Sequence, residues 1–272
     1  MKHCELGELN GDVLLFGGPY SNLQACKAVF AFASAAKIAR DHVICTGDVV
    51  AYCGAPAASV AAIRASGCAV VAGNCEIQLA QNADNCGCGF EEGTACDRLS
   101  AAWYAFAQSK LDAGARGWMK TLPDVATFTH HAKRYAVIHG GVRDVAQFIW
   151  ETDEDAVFSR EWDALERVTG PVDAVVAGHS GLPFIRKTSR GAWLNAGVIG
   201  MPPHDGSTQT RFACLSGGTM QIEMLEYDVS GAVNDMIAAG LPADYREALK
   251  SGYWPSEDVL PDDLRVAVSE SG

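Results

Sequence analysis

The first hundred residues alternate between short apolar runs and longer stretches that carry apolar residues at helical spacing. The apolar runs at residues 12–18 (DVLLFGG), 42–47 (HVICTG) and 68–73 (CAVVAG) predict buried strands. Residues 22–40 predict a helix whose basic end would suit the helix dipole, and residues 56–67 predict a second helix with proline in its first turn. This β-α-β-α-β order is typical of parallel strands joined by right-handed crossovers.

The pattern changes in the second half of the chain. Residues up to about 122 look helical, except for the segment NCGCGFEEG, and VATFTHHAKRYAVIHGG predicts two strands around a short turn. The stretches LPFIRKTSRGAWLNAG and RFACLSGGTMQIEMLEY predict antiparallel hairpins. No repeat or linker divides the chain. We therefore predict one α/β domain spanning residues 1–272, with a C-terminal tail from about residue 229 packed on it.

Composition narrows the range of functions. The formal net charge is −12, which argues against a nucleic acid or an anionic membrane as partner. The N-terminus lacks the apolar core of a signal peptide, and no apolar run is long enough to span a bilayer. The chain has ten cysteines, several of them inside apparent strands or helices. Reduced thiols in a cytoplasmic enzyme are the expectation.

Polar residues follow the apolar strands, next to glycines. Asp48, Asn74, His139 and His179 each stand where a predicted strand ends. Loops at the carboxyl ends of strands in an α/β sheet converge, so these four side chains are expected to meet. A carboxylate, an amide oxygen and two imidazoles suit a divalent ion such as Mn, Fe or Zn.

The ordered series GD, GN-x-E, HG and GH resembles the signature of calcineurin-like metallophosphoesterases. The resemblance covers roughly residues 12–215 and includes NAGVIGMPPHDG, which is similar to a loop of that family. It implies a four-layer α/β/β/α sandwich of mixed sheets flanked by helices. It also implies hydrolysis of a phosphodiester, phosphomonoester or phosphoanhydride in a small phosphorylated molecule by a metal-activated water. Small bacterial phosphodiesterases and dinucleoside-polyphosphate hydrolases are the nearest subtype by chain size and by the GNCE motif.

The same resemblance assigns residue roles. Asp48 would bridge two metals, and Asn74, His139 and His179 would complete the shell of the second. The remaining ligands of the first metal would stand at Gly18, Tyr20 and Gly181, none of which has a suitable donor. Asn22 keeps the family's register at this point. The chain is therefore expected to hold one ion rather than two.

Further roles are expected around this site. Cys75 stands where many family members carry the histidine that protonates the leaving group, and the alternative for Cys75 is a packing role. Tyr20, Asn22, His204 and Arg143 are the expected substrate-binding residues.

Two other classes of function stay open at this stage. One is an inactive binding or regulatory protein that kept the fold, favoured by the missing ligands. The other is a redox enzyme with a single Fe or Mn, which the two histidines and one carboxylate permit.

Several side chains carry structural expectations. Cys86, Cys88 and Cys96 are expected to be reduced, with a metal site or a disulfide as alternatives. His130 and His131 flank a turn and are expected to be solvent-exposed. The tail aromatics Tyr253 and Trp254 either dock on the domain or form a contact in a homo-oligomer.

Overall fold

Residues 1–91 and 93–266 are described by the computed structural model. Their strands, in chain order, are β1 (His3–Glu8), β2 (Val13–Phe16), β3 (Val43–Cys45), β4 (Ala69–Val70), β5 (Val125–His130), β6 (Lys133–Val137), β7 (Ala174–Ala177), β8 (Phe184–Lys187), β9 (Ala192–Asn195), β10 (Thr210–Ser216) and β11 (Thr219–Leu225). The helices are α1 (Leu23–Ala35), α2 (Pro56–Ser66), α3 (Asn74–Gln81), α4 (Ala95–Lys110), α5 (Ala113–Met119), α6 (Asp155–Thr169), α7 (Val229–Ala238) and α8 (Ala243–Ser251). Short 3-10 helices lie at Arg40–His42 and Asp262–Leu264.

The strands form two mixed sheets. The five-stranded sheet has the order β11-β10-β2-β3-β4, and the six-stranded sheet has the order β1-β5-β6-β7-β9-β8. Strands β2, β3 and β4 run parallel, as the alternation of strands and helices predicted. The predicted hairpins are the antiparallel pairs β5/β6, β8/β9 and β10/β11.

The side chains of β2 show how the layers are held together. Val13 and Leu15 belong to the apolar core between the two sheets, whereas Leu14 and Phe16 belong to the core under the helices. Neighbouring residues of a strand face opposite sides, so a strand buried on both faces is apolar throughout. A third core joins the six-stranded sheet to α6 through residues such as Phe158 and Trp162. These layers confirm the expected α/β architecture of two mixed sheets flanked by helices.

The first helix is shorter than the sequence predicted. It begins after Asn22, whose side-chain oxygen accepts the backbone N–H of Ala25, and it ends at Ala35. Lys37 has a φ of 58°, and the N–H of Ile38 closes the end by donating to the carbonyl of Ala33. Lys37 and Arg40 therefore lie outside the helix, and the expectation of a basic last turn was wrong.

Two features of the six-stranded sheet differ from the sequence prediction. The polar segment of β1 was not predicted as a strand, yet it pairs in parallel with β5 at the edge of the six-stranded sheet. His130 was expected at the surface but is fully buried, with Nε2 2.8 Å from the carbonyl oxygen of Gly11. His131 and Ala132 form the turn of the β5/β6 hairpin with positive φ, and His131 is exposed.

Within the described residues, no helix has the length and apolar character that crossing a membrane requires.

Candidate metal centre

The four predicted ligands stand at neighbouring strand ends. Asp48 follows β3, Asn74 opens α3 just after β4, His139 follows β6 and His179 follows β7. Asp48 and His179 have φ values of 55° and 58°, a region that non-glycine residues seldom occupy. Backbone strain of this kind is common where a loop must aim a side chain at a functional site.

Gly73 shows how tightly these loops approach one another. A Cβ atom at this position would lie 2.3 Å from Asp48 Oδ1 and 2.9 Å from Cε1 of His139. Contacts this short do not occur between side chains and a real Cβ. The glycine before Asn74 is therefore required for the carboxylate and the imidazole to meet.

The hydrogen bonds of His139 define its tautomer. Its Nδ1 lies 2.6 Å from the carbonyl oxygen of Thr46. A carbonyl only accepts, so Nδ1 carries the proton and Nε2 of the neutral ring presents a lone pair. A histidine oriented by a backbone carbonyl in this way is the usual arrangement for a metal ligand.

Three other lone-pair atoms converge on Nε2 of His139. It lies 3.1 Å from Asn74 Oδ1, 3.1 Å from His179 Nδ1 and 3.2 Å from Asp48 Oδ2. The amide of Asn74 is held in this orientation because its Nδ2 donates to the carbonyl of Cys86 at 2.9 Å.

The donor set fits a divalent cation. The ligand atoms of Asp48, His139 and His179 lie within 4.8 Å of one another, and all three side chains are buried. The nitrogen of His179 that faces the other ligands is Nδ1, which lies 3.1 Å from His139 Nε2. Lone pairs that face one another repel, so donor atoms gathered this closely suit a shared cation.

The charges at the centre follow from burial and proximity. Burial raises the pKa of Asp48, but the attraction of His139 prevails and the pKa lies below its usual value. Burial lowers the pKa of His139, but Asp48 more than offsets this and the pKa lies above its usual value. Burial lowers the pKa of His179 to about 3, and the adjacent His139 acts in the same direction. The imidazole of His179 is therefore neutral near pH 7 and free to bind an ion.

Glu76 fixes the backbone around the centre but is not one of the candidate metal ligands. Its Oε2 accepts the backbone N–H groups of Asp48 at 2.7 Å and Gly73 at 3.0 Å, and its Oε1 accepts that of Val49 at 2.8 Å. Burial raises the pKa of Glu76 to about 7, and the nearby Asp48 adds to the effect, whereas these N–H donors oppose it. The sequence shows Glu76 in the GN-x-E motif, but its role in fixing the Asp48 loop emerges only from the structure.

Glu161 plays the same part for the His139 loop. This carboxylate on α6 is almost fully buried and accepts the backbone N–H groups of Val142 at 2.7 Å and Arg143 at 3.2 Å. The sequence does not predict this role for Glu161, because an acidic residue on a helix is normally exposed to solvent.

The structure also places the expected substrate-binding residues. Tyr20 is buried and lines the cavity beside the centre. Asn22 caps α1, and its Nδ2 donates to the carbonyl of Gly200 at 3.2 Å. Arg143 is exposed and does not line the cavity.

His204 and Cys75 lie outside the cavity as well. His204 Nε2 lies 2.7 Å from Glu257, and its Nδ1 accepts the backbone N–H of Trp254 at 2.8 Å, so both ring nitrogens hold the C-terminal tail. The backbone N–H of Cys75 donates to Asp48 Oδ1 at 3.2 Å. Burial raises the pKa of the Cys75 thiol well above its usual value, and Asp48 and Glu76 add to this.

Apolar side chains surround Gly18 and Gly181. A Cβ at Gly18 would lie 2.5 Å from Val198 Cγ1 and 2.6 Å from Tyr20 Cζ. A Cβ at Gly181 would lie 3.1 Å from Cζ2 of Trp254. The space next to these two glycines is therefore filled by Val198, Tyr20 and Trp254.

The cavity next to the centre is mostly apolar. The space inside it for small molecules is about 70 Å³, and Asp48 and His179 form part of its wall. Six aromatic residues line it: Tyr20, Tyr52, Phe90, Phe148, Tyr245 and Trp254. No lysine or arginine among the described residues lines it.

Three cysteines, Cys86, Cys88 and Cys96, lie near the centre or the cavity. Cys86 and Cys88 are joined by a disulfide around Gly87, whose φ is 61°, so the expectation of reduced thiols was wrong for this pair. Cys88 Sγ lies 3.4 Å from Asn74 Nδ2. Cys96 is a free thiol that lines the cavity.

A two-sheet α/β fold that gathers these donors at its strand ends defines a protein of the metallophosphoesterase class. The pattern of the calcineurin-like phosphoesterase superfamily domain matches residues 22–217, and the chain belongs to this superfamily. The resemblance read from the four motifs is thereby confirmed.

Solved structures agree at the level of the fold. A metallophosphoesterase from Sphaerobacter thermophilus aligns with a TM-score of 0.68 and 19% identity, over 90% of this chain and 100% of its own. A hypothetical protein from Pyrococcus horikoshii OT3 aligns with a TM-score of 0.72 and 16% identity, with the same coverage of both chains. No curated protein matches the sequence significantly.

Proposed function

We propose that the protein is a phosphoric ester hydrolase that works with one divalent ion held by Asp48, Asn74, His139 and His179. The observation that carries the proposal is the crowding at His139 Nε2, where three other lone-pair atoms lie within 3.2 Å. Membership of the phosphoesterase superfamily supplies the reaction class.

A bound Mn, Fe or Zn ion would polarise a phosphoryl oxygen and lower the pKa of a water molecule. The chain's own residues prepare the place for both. Thr46 fixes the tautomer of His139, Cys86 fixes the amide of Asn74, and Glu76 fixes the backbone of Asp48. The aromatic cavity gives one side of the centre a largely apolar wall, which strengthens electrostatic interactions there.

The proposal assigns protonation of the leaving group to Cys75. The raised pKa keeps this thiol protonated near neutral pH but also makes it a weak acid, and its side chain does not line the cavity, so a packing role is the alternative that a Cys75 variant must test. The buried side chain lies one residue beyond Asn74, and its backbone N–H is bonded to Asp48.

The single-ion stoichiometry is supported by the surroundings of Gly18 and Gly181. Val198, Tyr20 and Trp254 fill the space that side chains at these positions would enter. The same observation favours a second candidate, a binding protein that retains the ion and the cavity but has lost turnover. The second candidate predicts ligand binding without hydrolysis of any phosphoester.

Metal stoichiometry is the first test. Elemental analysis of untagged protein should give one ion per chain for the wild type, none for His179→Ala and one for His131→Asn, which changes an exposed turn histidine. The same three proteins are then assayed on phosphodiesters, phosphomonoesters and phosphoanhydrides with Mn, Fe and Zn added. Two ions per chain would contradict the single site. No uptake of any of these metals would remove the hydrolase proposal.

A further inference from the structure

We propose that the aromatic cavity beside the metal centre binds a planar aromatic group of the substrate, and that the substrate is a monoanionic phosphodiester with one aryl or heteroaryl ester group. This inference rests on the proposed function for the reacting phosphate. The binding preference of the cavity, however, can be measured without turnover.

The cavity begins at the candidate ligands themselves. Asp48 and His179 form part of its wall, and the ring of Phe148 lies 4.5 Å from the imidazole of His179, measured between centroids. A phosphate held at the centre would therefore present one of its ester groups to the aromatic wall.

The wall consists of rings that brace one another. Tyr52 stacks on Tyr245 at 4.6 Å between centroids and meets the edge of Tyr20 at 4.7 Å. Phe148 stacks on Trp150 at 5.5 Å, with an angle of 4° between the two planes. Rings fixed in this way would lose little conformational entropy when a guest binds, and stacked or edge-on aromatic pairs are favoured beyond their buried area.

The C-terminal tail completes the wall. Trp254 lines the cavity while its Nε1 donates to the carbonyl of Pro202 at 2.8 Å. The tail is fixed again by Glu257 on His204 and by Asp258, which accepts the backbone N–H of Ala95 at 3.0 Å. These contacts show that Trp254 belongs to a built site.

The charge of the residues that line the cavity favours a phosphodiester over a phosphomonoester. Asp48 is the one carboxylate among the described lining residues, and none of them is a lysine or an arginine. The desolvation cost of an anion rises with the square of its charge, whereas its attraction to a single bound ion rises only linearly. A phosphomonoester dianion would lack a second cation here, so the singly charged diester is the better match.

Calorimetry tests the inference with probes whose one ester bond, where present, has methanol, a poor leaving group. On the Mn-loaded protein, methyl phenylphosphonate is compared with methyl cyclohexylphosphonate, and with phenylphosphonate as the dianion. We expect the phenyl monoester to bind roughly 3- to 10-fold more tightly than the cyclohexyl one, the range set by aromatic pairing. We also expect it to bind more tightly than the dianion.

Two variants locate the preference. Phe148→Leu removes a ring from the wall, and Phe30→Leu removes a partly buried ring from α1, outside the cavity. The phenyl preference should fall in Phe148→Leu and stay unchanged in Phe30→Leu. Equal affinities for phenyl and cyclohexyl probes in the wild type, or an equal loss in both variants, would overturn the aromatic subsite. A dianion that binds as tightly as the monoanion would overturn the diester assignment.

Metal-free protein separates this inference from the proposed function. Phenol and cyclohexanol, of similar size and both neutral, are titrated into EDTA-treated wild type. A preference for phenol would support the aromatic subsite whether or not the protein hydrolyses a phosphoester. If it hydrolyses none, only the hydrolase proposal is contradicted. Hydrolysis of phosphoesters without any preference for aromatic groups would retain the hydrolase and remove the subsite.

Discussion

Glycine-to-alanine substitutions test whether apolar side chains fill the space beside the metal centre. The series compares Gly18, Gly181 and Gly67, which all have positive φ, at 41°, 79° and 74°. A Cβ at Gly67 would meet nothing within 4 Å, one at Gly181 would press lightly on Trp254, and one at Gly18 would overlap Val198 and Tyr20. The three positions share the backbone cost and differ in the steric cost.

The magnitudes follow from these contacts. Alanine in the left-handed region costs about 1 kcal/mol in each variant. Overlap in a packed interior adds about 1–3 kcal/mol. We therefore expect unfolding free energies to fall by about 1 kcal/mol for Gly67→Ala, by about 2–4 kcal/mol for Gly18→Ala, and by an intermediate amount for Gly181→Ala.

Urea unfolding in EDTA measures the series, because removal of metal excludes any contribution from binding. Val198→Ala should restore part of the loss when combined with Gly18→Ala, since it removes the methyl group that the new Cβ would meet. Equal destabilisation at Gly18 and Gly67, or additive behaviour of the double variant, would refute the filled space and with it the structural support for a single ion.

Three other predictions concern the centre and its supports. The apparent affinity for Mn²⁺ should rise with pH, by up to about tenfold per pH unit, until the pH passes the raised pKa of His139. The reason is that the ion displaces a proton from this imidazole. A flat affinity profile in calorimetric titrations from about pH 6 to pH 9 would contradict this. Glu161→Ala should weaken Mn²⁺ binding because it frees the loop that carries His139. Glu161→Gln should retain Mn²⁺ binding, because a single oxygen accepts both backbone N–H groups and the amide keeps that oxygen. Equal losses of Mn²⁺ affinity in the two variants, measured by calorimetry, would count against a positioning role for Glu161. Cys75→Ala should slow hydrolysis of esters with poor leaving groups and spare nitrophenyl esters, as steady-state kinetics can show; a uniform loss would favour a packing role.

Much of the centre was visible in the sequence because it depends on local order. Asp48, Asn74, His139 and His179 follow apolar strands beside glycines, and the topology of an α/β sheet brings such positions together. The parallel order of β2, β3 and β4 followed from the same alternation.

Features that depend on distant partners were not visible. The alternation of strand β1 rests on only two apolar residues, Cys4 and Leu6, and His130 is buried by its contact with Gly11, 119 residues away. His204 was expected near substrate, but a tail residue 53 positions later occupies its Nε2. The composition of a short loop does not reveal which distant segment will cover it.

The three backbone N–H groups that donate to the Glu76 carboxylate bear on the kinetics of metal binding. They tie the loop after β3 to the start of α3 within the protein itself, so the ligand geometry does not depend on the ion for its assembly. The apo protein is then a preorganised receptor rather than a chain that folds around its metal. Metal uptake should follow simple bimolecular kinetics, with a rate that is linear in metal concentration and reaches no plateau from a slow rearrangement.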